Sequence, residues 1–175
     1  MAHAQEHLER EPSDVLASWY DAWNAHDVDA VSALMVDDVR YEDPAAPEAA
    51  MVGRGAVEAY VSAAFRALPD LRLEKLEEWT TEGRGIIASY FRITASFDGV
   101  LAYPGRPRVA PTGGTISAFG MDRSEIREGL VAGHQIFWDQ AEVGRQTGLL
   151  PARGSTGEKL AFALQRLAAK RRRRR

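Results

Sequence analysis

Apolar residues recur at intervals of three and four in the first part of the chain, which predicts amphipathic helices. The first helix begins at Ser13, a suitable N-cap, and runs to about His26. Its apolar stripe consists of Val15, Leu16, Trp19 and Trp23. A shorter helix capped by Asp27 follows, with Met35 as its last inward residue, and a regular apolar spacing predicts a third helix over 57–68.

Alternating apolar and polar residues predict strands in the rest of the chain. These strands cover 39–43, 71–79, 86–97, 115–123 and 130–138, and a turn over 124–129 joins the last two. In the first strand Tyr41 and Asp43 share the inward side, and Pro44 ends it. Residues 98–114 hold seven glycines and prolines among apolar side chains, which predicts a loop able to act as a lid. Asp139 and Glu142 have the capping-box spacing of a short last helix.

The order of these elements is typical of an α+β fold in which helices pack on one face of a curved sheet. Such a sheet and its helices can enclose an apolar pocket. We expect one domain over 13–152. A disordered leader over 1–12 would precede it, and a linker and basic tail over 153–175 would follow it. Within the tail, 158–170 has helical spacing and would dock loosely or fray.

Composition limits the classes of protein and site. A chain of 175 residues with 45% apolar content can bury a full core as a single domain. The cysteine count of zero excludes thiolate nucleophiles, zinc-thiolate sites, iron-sulfur clusters and disulfides. No apolar run reaches the roughly 20 residues that span a bilayer, and the polar first 13 residues do not resemble a signal peptide. We therefore expect a cytoplasmic protein that does not enter a membrane.

Charge is distributed unevenly along the chain. Six consecutive cations fill 170–175, so residues 1–169 carry 16 basic side chains against 25 acidic ones. An acidic body lacks the basic stripe that a nucleic-acid groove requires, and we expect no nucleic-acid partner. A terminal run of like charges is usually solvated.

A series of short motifs resembles the SnoaL-like polyketide and ester cyclases of the nuclear transport factor 2-like superfamily. The motifs are 23–30 (WNAHDVDA), 41–44 (YEDP), 53–54 (GR), 68–70 (LPD), 111–113 (PTG), 138–140 (WDQ) and 145–151 (RQTGLLP). The resemblance covers residues 13–152. It implies a cone-shaped α+β fold with a curved antiparallel sheet enclosing a pocket. It also implies a homodimer formed through the open sheet face.

The resemblance also implies where a catalytic base would lie. Cyclases of this family close a polyketide ring by an intramolecular aldol reaction without a cofactor. They use an Asp on the last strand beside a His on the preceding strand. The motif over 145–151 places that Asp position at Ile136 and the His position near Asp122. Because Ile136 cannot accept a proton, the family mechanism does not transfer unchanged.

Four side chains are candidates for acid/base chemistry. His134 lies two residues before Ile136 and shares its strand face, so it is the titratable group nearest the missing Asp. Asp43 faces inward and would be a base with a raised pKa in an apolar cavity. Tyr41 is a candidate donor to an enolate, and Asp122 is a further carboxylate candidate. Three of them have a structural alternative: a buried core histidine for His134, a turn before a proline for Asp43, and a solvent-exposed carboxylate near a strand end for Asp122.

Aromatic and apolar side chains are candidates for the wall of the pocket. The predicted substrate-binding residues are Trp19, Trp23, Tyr90, Phe119, Ile136 and Trp138. An aromatic stripe at helical spacing is more often a feature of an ordinary core. Asp139 has a sufficient role as a helix cap.

Three functions remain open from the sequence. The first is a cofactor-independent cyclase or isomerase acting on a small apolar carbonyl or ester compound, with His134 or Asp43 as the base. The second is a hydrolase in which Asp43 activates water on an epoxide or ester. The third is a module that binds a small hydrophobic ligand, or dimerises, without catalysis. Nucleotide-binding and nucleophile-elbow motifs are absent, so we expect no cofactor and no metal.

Overall fold

The computed structural model describes residues 10–81, 83 and 85–172. The described residues do not include residues 1–9 of the predicted leader or residues 173–175 of the basic run. Residues 10 and 11 are extended or irregular, and the first helix starts at Pro12, whose fixed φ suits the first turn of a helix.

The described residues form five helices. They are α1 Pro12–Asn24, α2 Val28–Ala33, α3 Arg54–Ala67, α4 Gln140–Gln146 and α5 Thr156–Arg172. The prediction that Ser13 caps the first helix is wrong, because Glu11 is the N-cap of α1 and makes no side-chain cap bond. The two other predicted caps are confirmed. The Asp27 carboxylate accepts a hydrogen bond from the Ala30 amide at 2.9 Å. The Asp139 carboxylate accepts one from the Glu142 amide, also at 2.9 Å.

In the described part of the chain, six strands form one curved sheet whose edges do not close. They are β1 Met35–Glu42, β2 Met51–Val52, β3 Arg72–Thr81, β4 Ile86–Ser96, β5 Thr115–Arg127 and β6 Leu130–Trp138. Their order in the sheet is β2-β1-β6-β5-β4-β3. Neighbouring strands are antiparallel with one exception, because β1 runs parallel to β6. The fold is therefore the predicted α+β class, with a parallel pair within the sheet.

The segment between α2 and β1 differs from the sequence prediction. Helix α2 ends at Ala33, and Met35 already belongs to β1, so the extension of the second helix to Met35 is wrong. Val36 and Val39 favour extended backbone, and the Cα pairing of Met35 with Val131 of β6 fixes the start of the strand. The pairing of β1 with β6 therefore decides the structure at Met35, although the local spacing of apolar residues favours a helix.

The hairpin between β5 and β6 brings candidate residues together. Its two-residue turn consists of Glu128 and Gly129, both with positive φ, which matches the twist of the flanking strands. Strand β5 consequently extends to Arg127, four residues beyond its predicted end. Ser124, predicted to lie in the connection, is a strand residue paired with His134.

The core lies between the helices and the concave face of the sheet. Its enclosed members come from both layers and include Val15, Leu16 and Trp19 of α1, Val57 and Val61 of α3, and Val39, Ile87 and Val131 of the sheet. Burying each such side chain stabilises the fold by about 1.5–3 kcal/mol. These contacts hold α1 and α3 over the sheet.

The loop over 97–114 closes one end of the core between the helices and the sheet. Its backbone approaches α3 so closely that a Cβ added to Gly99 would lie 1.7 Å from the Arg66 carbonyl oxygen. The Gly99 amide donates to the Ala67 carbonyl at 3.0 Å. Only glycine fits this contact, which fixes the loop against the end of α3.

Helix α5 differs from the other helices because none of its side chains is buried. Leu160, Phe162, Leu164 and Leu167 are all more than half exposed. The predicted helix over 158–170 is therefore present and slightly longer than expected. Within the part of the chain that the structure describes, no helix combines the length and the apolarity that crossing a membrane requires.

Deleting residues 155–175 should change the melting temperature by no more than about 2 °C, because surface changes away from the core are worth about 0.5 kcal/mol. The measurement is a thermal unfolding curve of the truncated and full chains. Leu16→Ala provides the control, since a buried leucine should cost about 2–5 kcal/mol. A much larger fall in the truncated chain would show that α5 packs on the domain.

Candidate functional site

A cavity of about 250 Å³ lies between α1, α3 and the concave face of the sheet. Its wall is largely aliphatic and aromatic. All four predicted catalytic side chains line it: His134, Asp43, Tyr41 and Asp122. Trp19, Trp23, Ile136 and Trp138 line it as well. The structure thus brings residues from α1, β1, β5 and β6 to one enclosed space.

Two predicted wall residues lie elsewhere. Tyr90 and Phe119 stack on each other on the outer face of the sheet, with ring centroids 5.6 Å apart, and Phe119 is 53% exposed. Strand alternation explains this, because Phe91 and Ala118 take the inward positions beside them. The prediction that Tyr90 and Phe119 bind a ligand in the cavity is therefore wrong.

Asp43 follows the end of β1 and is partly accessible. One carboxylate oxygen accepts hydrogen bonds from the Ala45 amide at 2.8 Å and from the Trp138 indole at 3.2 Å. Asp43 thus forms the turn expected before a proline and still lines the cavity. Burial raises the pKa of the Asp43 carboxyl, against smaller opposing effects of the Ala45 amide and of the Tyr60 and Trp138 side chains. A carboxylate with a raised pKa is a stronger base.

His134 lies in the middle of β6 and contacts two aromatic rings on its sides. The Trp19 and Tyr41 ring centroids are 4.9 Å and 5.3 Å from that of the imidazole. His134 Nδ1 is 2.8 Å from Ser124 Oγ, and Nε2 makes no hydrogen bond to any residue that the structure describes. Burial lowers the pKa of His134, although the Asp122 and Asp43 carboxylates oppose the shift. The imidazole is consequently neutral around pH 7.

Asp122 is the Cα partner of Ile136 across the β5–β6 pair. It is only 4% exposed. Its carboxylate accepts hydrogen bonds from the Ser89 amide at 3.1 Å, the Ser89 hydroxyl at 2.7 Å and the Tyr20 hydroxyl at 2.9 Å. These bonds tie α1 to β4 and β5, which gives Asp122 a structural role.

The Tyr41 hydroxyl is fully enclosed and has no hydrogen-bond partner among the described residues. Burial raises the pKa of Tyr41 well above its ordinary value, so the phenol stays protonated. A ligand in the cavity can touch the Tyr41 ring but not its oxygen. The prediction that Tyr41 polarises a carbonyl is therefore not supported by this geometry.

Sequence reasoning missed several polar residues of the site. Tyr20 and Ser89 bind Asp122, and Ser124 binds His134. A signal for Ser124 existed, because the alternation of Asp122, Ser124 and Ile126 continues the inward face of β5. The predicted strand end at 123 concealed it. Tyr103, from the loop over 97–114, stacks on Tyr60 with centroids 5.8 Å apart and adds to the wall.

The sequence profile of the SnoaL-like domain matches residues 16–134, which is more than half of the chain. The chain belongs to the SnoaL-like family. Among curated proteins, none has a sequence that matches this SnoaL-like chain.

Solved structures share the fold of this SnoaL-like protein. A candidate SnoaL-like polyketide cyclase from Jannaschia sp. CCS1 has a TM-score of 0.67 at 20% identity, over 82% of this chain and 96% of its own. IdmH, a candidate polyketide cyclase from Streptomyces antibioticus, has a TM-score of 0.62 at 20% identity, over 79% and 99%. AclR, a candidate hydroxylase from Streptomyces galilaeus, has a TM-score of 0.64 at 20% identity, over 93% and 95%. One fold thus occurs in proteins assigned to different chemistry.

The charge of the cavity wall restricts what this SnoaL-like protein can hold. Two carboxyl groups, Asp43 and Asp122, line the cavity, whereas none of the described lining residues is Lys or Arg. Three or more His, Asp or Glu residues arranged to hold a metal ion are not found among the described residues. An anionic ligand would meet like charges without a counter-charge, so the wall favours a neutral or cationic ligand.

Replacing Tyr41 by Phe should leave the free energy of unfolding of the SnoaL-like protein unchanged or raise it, because a buried hydroxyl without a partner is destabilising. Tyr20→Phe is the matched control. It removes the same atom from a residue that bonds Asp122 and Ser89, and should cost about 1–3 kcal/mol. Urea unfolding of both variants gives the comparison. If Tyr41→Phe were the more damaging, the Tyr41 hydroxyl would have a partner that this account lacks.

Proposed function

We propose that this SnoaL-like protein carries out cofactor-independent acid/base catalysis on a small, neutral carbonyl or ester compound of polyketide type. The observation that carries the proposal is the position of Asp43. Its partly accessible carboxyl group lies in the wall of an apolar cavity that also contains the His134 imidazole. Removing a proton next to a carbonyl needs a base shielded from water and a donor for the enolate oxygen. In this proposal Asp43 is the base and His134 is the donor.

The proposed base differs from that of the related cyclases. Ile136 occupies the position of their Asp and contributes only apolar surface to the cavity. The carboxylate across from it, Asp122, has its oxygens occupied by Ser89 and Tyr20. Asp43 enters from the end of β1 instead, so the base would approach the ligand from another wall.

The cavity limits the size and character of the ligand. An apolar cavity of about 150 Å³ holds benzene, so about 250 Å³ is suited to a bicyclic compound. Trp19 and Trp138 offer aromatic surface to a planar ring. The absence of Lys and Arg from the described lining residues supports a neutral substrate.

Wild-type protein should catalyse exchange of deuterium from D2O into the α carbon of 2-tetralone, a neutral bicyclic ketone, as followed by proton NMR. Asp43→Asn should slow this exchange by about 10²-fold or more, the usual contribution of a general base. Asp21→Asn is the control, because it removes the same charge from the exposed side of α1. The rate should fall with decreasing pH at a pKa above the aspartate reference of about 3.9, since Asp43 must be deprotonated to act.

Other results would replace the proposal. Hydrolysis of a neutral epoxide such as styrene oxide, lost in Asp43→Asn and without ketone exchange, would favour water activation. Binding of 2-tetralone without exchange in the wild type would favour a ligand-binding module. Full exchange activity in Asp43→Asn would contradict the assignment of the base.

We also propose that the protein forms a homodimer through the outer face of the sheet. Tyr90, Met121 and Phe137 form a row across β4, β5 and β6 through direct Cα pairing. Phe119 and Phe137 are each 53% exposed, and Met121 is 45% exposed. Exposed apolar patches of this kind mark interfaces.

The charges around the patch are compatible with a second copy of the chain. Arg123 and Glu125 follow Met121 on the same outer face of β5. A two-fold axis can place each of them near the opposite charge of the partner, because both surfaces are identical.

Light scattering should give a mass of two chains for the wild type and one chain for Phe119→Asp at the same concentration, because a charge in the patch prevents its burial. Val52→Asp, a change at an exposed apolar residue of edge strand β2, should remain dimeric. A monomeric wild type, or a dimeric Phe119→Asp variant that keeps its circular dichroism spectrum, would exclude this interface.

A further inference from the structure

Ser124 and His134 form a buried pair whose proton arrangement can be counted. They are Cα partners across β5 and β6, and Ser124 Oγ lies 2.8 Å from His134 Nδ1. Ser124 is 1% exposed and His134 is 3% exposed. Distance alone does not say which atom donates. A hydroxyl and a neutral imidazole have one mobile proton each, and these two protons can be arranged in two ways.

In the first arrangement Nδ1 holds the imidazole proton and donates it to Ser124 Oγ. The hydroxyl proton then needs another acceptor, but Ser124 Oγ makes no other hydrogen bond to a residue that the structure describes. This arrangement therefore buries an unpaired donor, which is unfavourable.

In the second arrangement Ser124 donates to Nδ1, and the imidazole proton is on Nε2. His134 lines the cavity. Its Nε2 atom is not one of the fully enclosed atoms that lack a hydrogen-bond partner among the described residues. The imidazole proton can then be satisfied by a ligand or by water in the cavity. Only this arrangement leaves no enclosed hydrogen without an acceptor.

We propose that Ser124 holds neutral His134 in the Nε2–H tautomer, so that His134 donates a hydrogen bond to a ligand oxygen in the cavity and Asp43 is left as the base. The tautomer follows from the hydrogen-bond count. Its catalytic consequence rests on the proposed function. Ser124 is a positioning residue, since it acts on the ligand only through His134.

The consequence for the reaction is a division of roles between the two side chains. The Asp43 carboxylate takes a proton from the carbon next to the carbonyl, and the electron pair of that C–H bond moves to form the enolate. The enolate oxygen accepts a hydrogen bond from Nε2–H. The proton then returns from Asp43 to carbon, or the enolate carbon forms a bond to a second carbonyl carbon of the same molecule. In that case the C=O π electrons move to the carbonyl oxygen, which takes the proton from Asp43 and so restores the carboxylate.

The surroundings of the imidazole support a neutral, fixed donor. The Trp19 and Tyr41 rings lie against it at centroid distances of 4.9 Å and 5.3 Å and restrict its rotation. Burial lowers the pKa of His134, whereas the nearby Asp122 and Asp43 carboxyl groups raise it. A neutral imidazole that donates to a substrate oxygen is an established form of electrophilic catalysis. The site should therefore select ligands with a carbonyl acceptor over analogues with only a donor at that position.

The test is the nitrogen-15 NMR spectrum of the full chain near pH 7.5, with the His134 signals assigned by their loss in His134→Gln. We expect a pyridine-type shift at Nδ1 and a pyrrole-type shift at Nε2. The reverse pattern, or an imidazolium pattern, would overturn the inference. This measurement needs no substrate, so it stands or falls separately from the proposed function.

Two variants test whether Ser124 is the cause. Ser124→Ala should produce a mixture of tautomers and lower the rate of 2-tetralone exchange about tenfold or more in kcat with little change in KM. Ser124→Thr keeps the hydroxyl and should restore both the tautomer and most of the rate. A pure Nε2–H tautomer with unchanged kcat in Ser124→Ala would overturn the positioning role. A wild type with the expected tautomer but without exchange would refute the proposed function alone.

Discussion

Burial in the apolar wall of the cavity shifts the pKa values of Asp43 and His134 in opposite directions. Burial raises the pKa of the carboxyl and lowers that of the imidazole, because it disfavours the charged form of each. The acid becomes a stronger base, and the histidine becomes a neutral group with a proton to donate. Both properties follow from the apolar wall, so the packing of α1 and α3 over the sheet is a condition for the chemistry.

The Asp122 network maintains that packing at the sheet. Tyr20 comes from α1 and Ser89 from β4, and both bond to Asp122 on β5. A single helix therefore provides Tyr20 for this network and, one residue earlier, Trp19 for the contact with His134. A buried carboxylate with three donors is far less costly than an unpaired one, and it fixes the register of helix against sheet. The position of the imidazole depends on this attachment.

Local patterns predicted the elements whose structure is decided locally. The bounds of β6 were predicted without error, and both capping aspartates, Asp27 and Asp139, have the expected bonds. Most failures occur where pairing between strands, and not a local pattern, decides the outcome. Met35 joins β1 because it pairs with β6, and the parallel pairing of these strands has no local signal. Ser124 was not predicted as a strand residue, because the predicted turn covered 124–129 whereas the observed turn consists only of Glu128 and Gly129.

Predictions of the candidate site were also correct for some residues and wrong for others. Parity along the first predicted strand indicated that Asp43 faces inward, and the family resemblance indicated Asp122 and the strand face of His134; all three line the cavity. Tyr90 and Phe119 were predicted as wall residues because they are aromatic, but they lie on the outer face of the sheet, as their parity requires. Hydrogen-bond partners could not be predicted, because tertiary packing decides them: the Tyr20 hydroxyl bonds Asp122, whereas the Tyr41 hydroxyl has no partner among the residues that the structure describes. The most direct measurement of the central claim is the pKa of the Asp43 carboxyl, determined by carbon-13 NMR with Asp43→Asn to assign the signal. The account predicts a pKa above that of an aspartate in water, and a pKa at or below that value would contradict it.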